Sequence, residues 1–252
     1  MKIHFVHSNN QKSKSAFKKM VKIYGQVAAY EADCIVVLSG DGMVLRAFHE
    51  NYRLGIPVYG ANRGQIGFLT NPYSVDNLIE RIEKAVTLKI HPLNVIIENR
   101  AGETFETIAI NEVYLLRQTH QTAKIRIKVD GIERMKESVC DGIIAATATG
   151  SSAYNYSANG LIIPPGTKLI ALTPISPFRP RAWRGALLES DSVLEFEIID
   201  PQKRPVCAVA DYVEFRDVTK IKVSENKNVT LTLLFDQDNL FKEKILQEQF
   251  AG

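Results

Sequence analysis

Residues 33–50, DCIVVLSGDGMVLRAFHE, contain the pattern that most constrains how this chain can fold. The apolar run Cys34–Leu38 has the length of a buried strand, and it stops at the turn SGDG, residues 39–42. The rest of the stretch places its apolar side chains on one face of a helix and its charged side chains off that face. The stretch therefore predicts a strand, a glycine turn and a helix.

A turn of this kind has the chemistry of an anion site. Backbone N–H groups at the start of a helix point toward the ligand, and the helix dipole favours negative charge there. Gly40 and Gly42 let the backbone approach a phosphate without a Cβ in the way. The turn matches neither a Walker A sequence nor the G-x-G-x-x-G fingerprint, so any phosphate binding follows another design.

Asp41, between these glycines, allows two interpretations. A carboxylate would repel a phosphate, so one interpretation gives it a task on the ligand, either accepting a proton from a hydroxyl or holding a bridging metal. In the other interpretation Asp41 is an N-cap in an ordinary Asp-Gly turn. The turn by itself leaves both open.

Residues 1–93 predict an α/β domain with a parallel sheet. Strands are predicted at 2–7, at 34–38 and around 57–59, and helical patterns lie between them, the first at 13–24. This alternation is typical of a parallel sheet. A second glycine loop, residues 60–70, leaves the carboxyl end of the last of these strands, where open α/β sheets bind ligands. Phe68 in that loop is either the wall of an aromatic-ring pocket or a core residue.

The pattern changes after Pro92. Residues 94–235 contain mostly short β-prone runs, such as the alternating KIRIKV at 124–129, which a hairpin signal, Asp130-Gly131, follows. The chain therefore combines an α/β domain with an all-β one. The helical pattern at its end predicts that 236–252 packs back on the first domain and completes it.

Two polar segments of the β-rich region are candidate binding sites. Asn111-Glu112 interrupts an apolar strand, so these side chains either meet a ligand's hydroxyls and base edge or are solvated at a strand end. Residues 141–160 are unusually small and hydroxylated, and Tyr154 among them has a ring that can stack. Asp211 follows an apolar run, and it is either a turn residue or a further carboxylate near the site.

Composition excludes several classes of protein. With 31 basic and 28 acidic residues the net charge is +3, too balanced to indicate nucleic-acid binding. The three cysteines are far apart and form no disulfide or zinc pattern, and no metal ligand set or G-x-S-x-G elbow is present. No apolar run reaches membrane-spanning length and the N-terminus lacks a signal-peptide core, so we expect a cytoplasmic protein without a membrane partner.

Together, four blocks of the sequence resemble the NAD kinase family, and they come in the family's order. They are SGDG at 39–42, GANRGQIGFLT at 60–70, Asn111-Glu112, and DGIIAATATGSSAYNYSANG at 141–160. The stretch TPISPFRPRAWRGALL at 173–188 is similar to a form found in some bacterial members, and the similarity covers nearly the whole chain.

The chain departs from the family pattern at four positions. Ser39 stands where the family usually has glycine, Met43 where it often has threonine, Ala148 replaces a proline, and Ser152 replaces a threonine. Ser39 keeps the turn small but adds a Cβ, which bears on how the phosphate donor binds.

The resemblance implies the transfer of a phosphoryl group to the 2′-hydroxyl of the adenosine ribose of NAD, which gives NADP. ATP is the usual donor in the family, some bacterial members accept polyphosphate, and a divalent ion, usually Mg²⁺, is required. The implied fold is an α/β domain joined to a β-rich, NAD-binding domain. Members are commonly homodimers or homotetramers, in which a neighbouring subunit can complete the NAD pocket.

The resemblance also implies roles for individual residues. Asp41 would accept a hydrogen bond from the 2′-hydroxyl and act as general base. Gly40 and Gly42 would leave space for the donor phosphates, and Asp211 would lie near the phosphate path. The implied NAD contacts are Asp41 and Gly42, Phe68 beside the adenine, Asn111 and Glu112 on the adenosine and its ribose hydroxyls, Thr149, Ser152, Tyr154 and Ser157 around the adenine, and Asp141 and Ala153 toward the nicotinamide.

Two rival functions are compatible with parts of the sequence. Diacylglycerol and sphingoid-base kinases share the glycine–aspartate turn, but Asn111-Glu112 and the 147–157 segment suit a nucleoside acceptor better than a lipid. A pyridine-nucleotide-binding regulator without catalysis is the other rival. Ser39 and Met43 keep it open, whereas the intact Asp41 argues against it.

Overall fold

A computed structural model describes residues 1–64 and 67–250, so Gln65 and Ile66 of the predicted glycine loop lie outside the described residues. The chain divides into two compact units. The first unit is Met1–Ile90 together with Asn228–Gly252, and the second unit is His91–Lys227.

Helices and strands alternate at the start of the chain. The elements up to residue 90 are β1 (Ile3–His7), α1 (Gln11–Tyr24), β2 (Cys34–Ser39), α2 (Asp41–Asn51), β3 (Val58–Asn62), β4 (Asn71–Pro72), α3 (Leu78–Glu83) and β5 (Val86–Ile90). Strands then dominate, with β6 (Leu93–Asn99), β7 (Thr104–Ala109), β8 (Glu112–Arg117), β9 (Ala123–Val129), β10 (Ile132–Cys140), β11 (Gly142–Ala146), α4 (Tyr154–Ser157), β12 (Leu169–Ile175), β13 (Ala186–Glu189), β14 (Leu194–Ile198), β15 (Val206–Ala210), β16 (Val213–Phe215) and β17 (Val218–Glu225). The last elements are β18 (Leu231–Phe235) and α5 (Phe241–Phe250).

The sheet of the first unit has the strand order β1-β2-β3-β18-β5 in the described residues, and the short β4 also pairs with β3. Pairing is parallel except between β18 and β5. All six residues of β2 are buried, which explains why this strand is an unbroken apolar run. Ser39 at the end of β2 is opposite Asn62 at the end of β3, so both glycine loops leave the sheet at neighbouring strand ends.

One strand belongs to a different unit from the one we predicted. We assigned 94–235 to the β-rich domain, but β18 lies between β3 and β5 of the first sheet and the second unit ends at Lys227. A short β-prone run has the same period in either sheet, so the pattern does not specify its partners.

Helix α5 belongs to the first unit, as predicted. Phe241 and Ile245 are buried, and the Phe241 ring lies 5.9 Å from the ring of Phe235 at the end of β18. The predicted fold class, an α/β domain with a parallel sheet plus a β-rich domain and a returning C-terminal helix, is therefore confirmed.

The described residues of the second unit form two sheets around one apolar core. Their strand orders are β10-β9-β14-β17-β6-β7 and β13-β12-β11-β8-β15-β16, and the pairs are antiparallel. The alternation in β9 is real, since every second residue from Ala123 to Val129 is buried. Asp130 and Gly131 both have positive φ and form the predicted hairpin turn to β10.

All three cysteines are buried free thiols, in line with the absence of a disulfide pattern in the sequence. Within the part of the chain that the structure describes, we find no helix with both the length and the apolar character needed to cross a membrane.

We predict that Asn71 stabilises the first sheet beyond the β4 strand in which it lies. Its buried amide donates to the carbonyls of Gly60 (3.2 Å) and Leu234 (2.9 Å), and its oxygen accepts the N–H of Asp236 (2.9 Å). Asn71→Ala should lower the free energy of unfolding by about 2–4 kcal/mol, because buried backbone groups left unpaired cost about 1–3 kcal/mol each.

Urea unfolding measures this difference. The exposed Asn9, changed to Ala, serves as the control and should stay within about 0.5 kcal/mol of the wild type. An equal, small effect of both substitutions would contradict the role of Asn71.

Candidate functional site

Asp41 is the first residue of α2, and the loop between β3 and β4 binds its carboxylate. Oδ2 accepts the backbone N–H of Phe68 at 2.7 Å and Oδ1 accepts that of Leu69 at 3.0 Å. The helix N-cap is Gly40, without a side-chain capping bond. The N-cap interpretation of Asp41 is therefore wrong, because its carboxylate receives hydrogen bonds from a distant loop.

Burial raises the pKa of the Asp41 carboxyl above its ordinary value. The N–H groups of Phe68 and Leu69 and the positive charge of Lys244 oppose this rise. The loop approaches closely because Gly67 has no side chain. A Cβ there would lie 3.0 Å from Asp41 Oδ1 and would overlap Thr70 Oγ1 at 2.1 Å.

Lys244 is a member of this site that sequence reasoning missed. It lies on α5, and its Nζ donates to the carbonyls of Gly67 (3.0 Å), Phe68 (3.4 Å) and Thr70. The helical pattern of the C-terminus was recognisable, but no motif distinguishes this lysine from its neighbour Lys242.

Gly40 and Gly42 border open space. A Cβ built on either residue would have nothing within 4 Å, and neither has a positive φ. The fold itself therefore does not require glycine at these positions. The space above the first turn of α2 remains available to an anion at the helix N-terminus.

Phe68 is half-buried, so it is not a plain core residue. Its backbone contributes directly to the site, since its N–H donates to Asp41 and its carbonyl accepts from Lys244. The structure thus brings together the predicted residues Asp41, Gly40, Gly42 and Phe68 in the first unit.

In the second unit, Asp211 supports the Asn111-Glu112 pair. Its two carboxylate oxygens accept the N–H groups of Ile110 (2.7 Å) and Asn111 (2.8 Å), and its own N–H donates to the carbonyl of Glu112 (3.0 Å). Asp211 has a positive φ of 53°, so it is also a turn residue. Its predicted place near the donor phosphates stays a prediction.

Glu112 and Asn111 present buried oxygen atoms that have no hydrogen-bond partner among the described residues. These atoms are Glu112 Oε2 and Asn111 Oδ1, and the Glu112 side chain is only 6% exposed. Burial, with a smaller contribution from the charge of Asp211, raises the pKa of Glu112 to about 8. Buried polar atoms are normally paired, so these two oxygens are candidate acceptors for the donors of a ligand.

The hydroxylated segment packs directly against Asn111. Thr147 donates from its hydroxyl to the Ile110 carbonyl (2.8 Å) and from its N–H to the Asn111 carbonyl (2.9 Å). A Cβ on Gly150 would lie 2.1 Å from that Asn111 carbonyl, so only glycine fits there. Thr149, between them, is buried.

Beyond this contact, the segment is held by a buried side chain that sequence reasoning did not single out. Asn155 is fully buried, donates to the carbonyls of Ser151 (2.9 Å) and Leu161 (3.0 Å), and accepts from Thr173 (2.7 Å). This anchor leaves the predicted binding residues around it partly or fully exposed: Ser152, Ala153 and Tyr154 are half-buried and Ser157 is exposed.

Tyr154 and Asp141 each have a partner within the second unit. The Tyr154 ring meets the Tyr114 ring edge-on, with centroids 4.9 Å apart. Asp141 pairs with Arg117, with 2.6 Å between Oδ1 and Nε, at a position where both side chains are one-third exposed. Both predicted residues thus have defined orientations, and Asp141 carries a neutralised charge.

The described residues do not form a preorganised metal cage. No group of three or more His, Cys, Asp or Glu side chains lies close enough to hold a metal ion within residues 1–64 and 67–250. Both oxygens of Asp41 accept backbone N–H bonds, which fixes the orientation of this carboxylate.

The family comparison covers most of the chain. Residues 2–90 match the ATP-NAD kinase N-terminal domain and residues 110–233 match the ATP-NAD kinase C-terminal domain. The chain is 48% identical over 248 residues to a NAD kinase of Brucella suis, which covers 98% of this chain and 96% of the relative.

Two solved structures share the fold. Yeast NADH kinase, solved in complex with NADH, superimposes with a TM-score of 0.85 at 19% identity, covering 100% of this chain and 87% of that one. A NAD kinase from Archaeoglobus fulgidus in complex with ATP gives a TM-score of 0.79 at 22% identity and covers 98% of both chains.

Because the Glu112 carboxyl is buried with an unpaired oxygen, we predict that the free energy of unfolding falls as pH rises. The unfolded glutamate loses its proton near pH 4.5, whereas the folded one keeps it to about pH 8. Between these values the folded state binds more protons than the unfolded state. The free energy of unfolding therefore falls by up to about 1.4 kcal/mol for each unit by which the pH rises. Glu112→Gln, a mimic of the neutral form, should remove this fall.

Urea unfolding at pH 5 to 8 measures the slope for both proteins. The exposed Glu106, changed to Gln, is a matched control in the same unit and should leave the wild-type slope unchanged. Parallel slopes for wild type and Glu112→Gln would contradict the prediction.

Proposed function

The chain belongs to the NAD kinase family, and from this membership we propose that it phosphorylates the 2′-hydroxyl of the adenosine ribose of NAD to give NADP. It is then a phosphotransferase with an alcohol group as acceptor. The observation that supports this most is the Asp41 carboxylate, which two backbone N–H groups orient at the start of a helix bordered by open space.

Asp41 acts as the general base. Each carboxylate oxygen accepts one backbone N–H and keeps a lone pair for the 2′-hydroxyl. Burial raises the pKa of this carboxyl, so it takes up the hydroxyl proton more readily than an exposed aspartate would. The proton moves to Asp41 as the ribose oxygen attacks the terminal phosphorus of ATP, and the bond from that phosphorus to its bridging oxygen breaks to release ADP.

The donor is ATP, which binds as its Mg²⁺ complex. In such complexes the substrate phosphates commonly hold the Mg²⁺ together with few protein ligands. The phosphates take the open space at Gly40 and Gly42, where the α2 dipole favours negative charge. Polyphosphate presents the same phosphate chemistry and is a second donor to test.

The second unit binds the adenosine part of NAD. Donors on the ribose and adenine pair with the buried oxygens of Glu112 and Asn111, which have no other partner in the described part of the chain. Because buried polar groups are costly when they have no hydrogen-bond partner, pairing these oxygens with donors of the ligand favours the complex. Asp211 orients both residues. Its assignment to the donor phosphates rests on the family resemblance alone.

The small-residue segment completes the contacts with NAD. Thr149, Ser152, Tyr154 and Ser157 of this segment surround the adenine, and Ala153 and Asp141 lie toward the nicotinamide. Phe68, which belongs to the glycine loop of the first unit, borders the adenine. The half-buried Tyr154 offers part of its ring for stacking, since Tyr114 meets that ring edge-on.

Phosphoryl transfer has a loose transition state, so catalysis depends on alignment and on neutralising charge. The roles above supply alignment through Asp41 and charge stabilisation through the helix start. We further propose a cytoplasmic homodimer or homotetramer in which a neighbouring subunit completes the NAD pocket.

Asp41→Asn should lower turnover on the order of 10²–10⁴-fold, the usual contribution of a positioned acid–base group. NAD affinity should change little, because the buried acceptors of the second unit are retained. Purified protein is incubated with NAD, ATP and Mg²⁺, and NADP is measured with an NADP-specific dehydrogenase. Polyphosphate replaces ATP in a parallel series.

The exposed Asp76, changed to Asn, is the control and should keep wild-type turnover. Near-normal turnover of Asp41→Asn would refute its role as base. A wild-type protein that binds NAD but forms no NADP from either donor would favour a non-catalytic regulator.

Gly42→Ala should separate folding from donor binding. Its Cβ meets open space, and alanine is the better helix former by up to about 1 kcal/mol, so stability should be unchanged or higher. If a phosphate fills that space, KM for ATP should rise roughly tenfold or more, which corresponds to about 1.4 kcal/mol of lost binding.

Steady-state kinetics against ATP and NAD, with thermal melting, test this. Glu50→Ala at the exposed end of the same helix should leave KM for ATP unchanged. An unchanged KM for ATP in Gly42→Ala would place the donor phosphates elsewhere.

A further inference from the structure

Lys244 is the described residue of the Asp41 site for which the roles above give no task. Its Nζ lies 3.0 Å from the Gly67 carbonyl and 3.4 Å from the Phe68 carbonyl, and it also donates to the Thr70 carbonyl. An ammonium group has three N–H donors, so its hydrogen-bonding capacity matches these three carbonyls.

The carbonyls of Gly67 and Phe68 belong to particular peptide groups. The Gly67 carbonyl shares a planar peptide with the Phe68 N–H, and the Phe68 carbonyl shares one with the Leu69 N–H. These are the two N–H groups that donate to the Asp41 carboxylate. In a trans peptide the C=O and N–H point in opposite directions, so a group that holds the carbonyl also aims the N–H.

The helix that carries Lys244 is firmly placed in the first unit. Phe241 and Ile245, on either side of Lys244, are buried, and the Phe241 ring lies 5.9 Å from the Phe235 ring. Lys244 Nζ itself lies 5.3 Å from the centre of the Phe235 ring. The packing of Phe241 on Phe235 thus helps to hold the ammonium at a defined point.

We propose that Lys244 is a positioning residue for the reaction, which holds the Gly67–Phe68 and Phe68–Leu69 peptide groups so that their N–H groups orient the Asp41 carboxylate. Its catalytic consequence rests on the proposed function, whereas its effect on the loop does not. The positive charge also polarises both peptide groups, which strengthens the N–H bonds to Asp41.

The charge state of Lys244 adds a second signature. Burial lowers the pKa of Lys244 to about 8, while the charges of Asp41 and Asp236 act in the opposite direction. A neutral amine has two N–H donors and a lone pair, which would face one of the three carbonyls. Turnover should therefore fall as pH rises through about 8, and Lys244→Arg, which stays charged, should move that fall to higher pH.

The main experiment compares Lys244→Met, Lys244→Arg and the matched control Lys242→Met. Methionine keeps an unbranched stem and removes the donors, and Lys242 is an exposed residue of the same helix. Amide hydrogen exchange is measured by NMR without substrates, and kcat and KM are measured with NAD and ATP.

In Lys244→Met we expect faster exchange that is confined to Phe68, Leu69 and their loop. We expect kcat to fall about 10-fold to 100-fold, the scale of a misplaced reacting group, with KM for NAD nearly unchanged. Lys244→Arg should restore most of both, and Lys242→Met should resemble the wild type.

Wild-type exchange at Phe68 and Leu69 in Lys244→Met would overturn the proposal. Faster exchange throughout the first unit with a lowered melting temperature would also overturn it, since Lys244 would then only stabilise the fold. If the wild-type protein forms no NADP, the proposed function fails, and the exchange data still decide whether Lys244 orders the loop.

Discussion

A carboxylate taken out of water needs hydrogen-bond donors, and the first unit meets this need at Asp41 by bringing together three distant parts of the chain. The turn after β2 supplies the carboxylate, and the loop before β4 supplies two N–H groups. Helix α5 supplies the ammonium of Lys244, which binds the same loop from its other side. The arrangement depends on β2, β3 and β18 being neighbours, because this pairing brings the elements that follow them to one place.

The second unit treats its two central carboxylates in opposite ways. Asp211 receives two backbone N–H groups and so fixes the start of β8. Glu112, a close neighbour, is buried with an oxygen that has no donor in the described residues, which is why its pKa rises to about 8. The first carboxylate contributes to the scaffold. The second is held in an unfavourable state that a ligand with hydroxyl or amine donors would relieve.

Local patterns predicted the elements well. The buried strand and helix around Asp41, the alternating β9, the hairpin at Asp130-Gly131 and the C-terminal helix all follow from residue periodicity and turn chemistry. Partners were harder to predict. Strand β18 was assigned to the β-rich domain, although it pairs with β3 and β5, and nothing in its sequence distinguishes the two sheets. Asn155 and Lys244 were missed because each acts through contacts that no local motif records.

Sequence patterns alone are enough to predict the two-part fold class, the family, and the residues that carry the glycine turn, the Asn-Glu pair and the small-residue segment. These features are predictable because periodicity, turn residues and motif order are properties of neighbouring positions. Three further facts come from the three-dimensional packing: which groups bind the Asp41 carboxylate, that Asp211 supports Asn111, and that Lys244 reaches the site. These facts depend on contacts between residues 27 to 177 positions apart, whose free energy depends on how the elements pack.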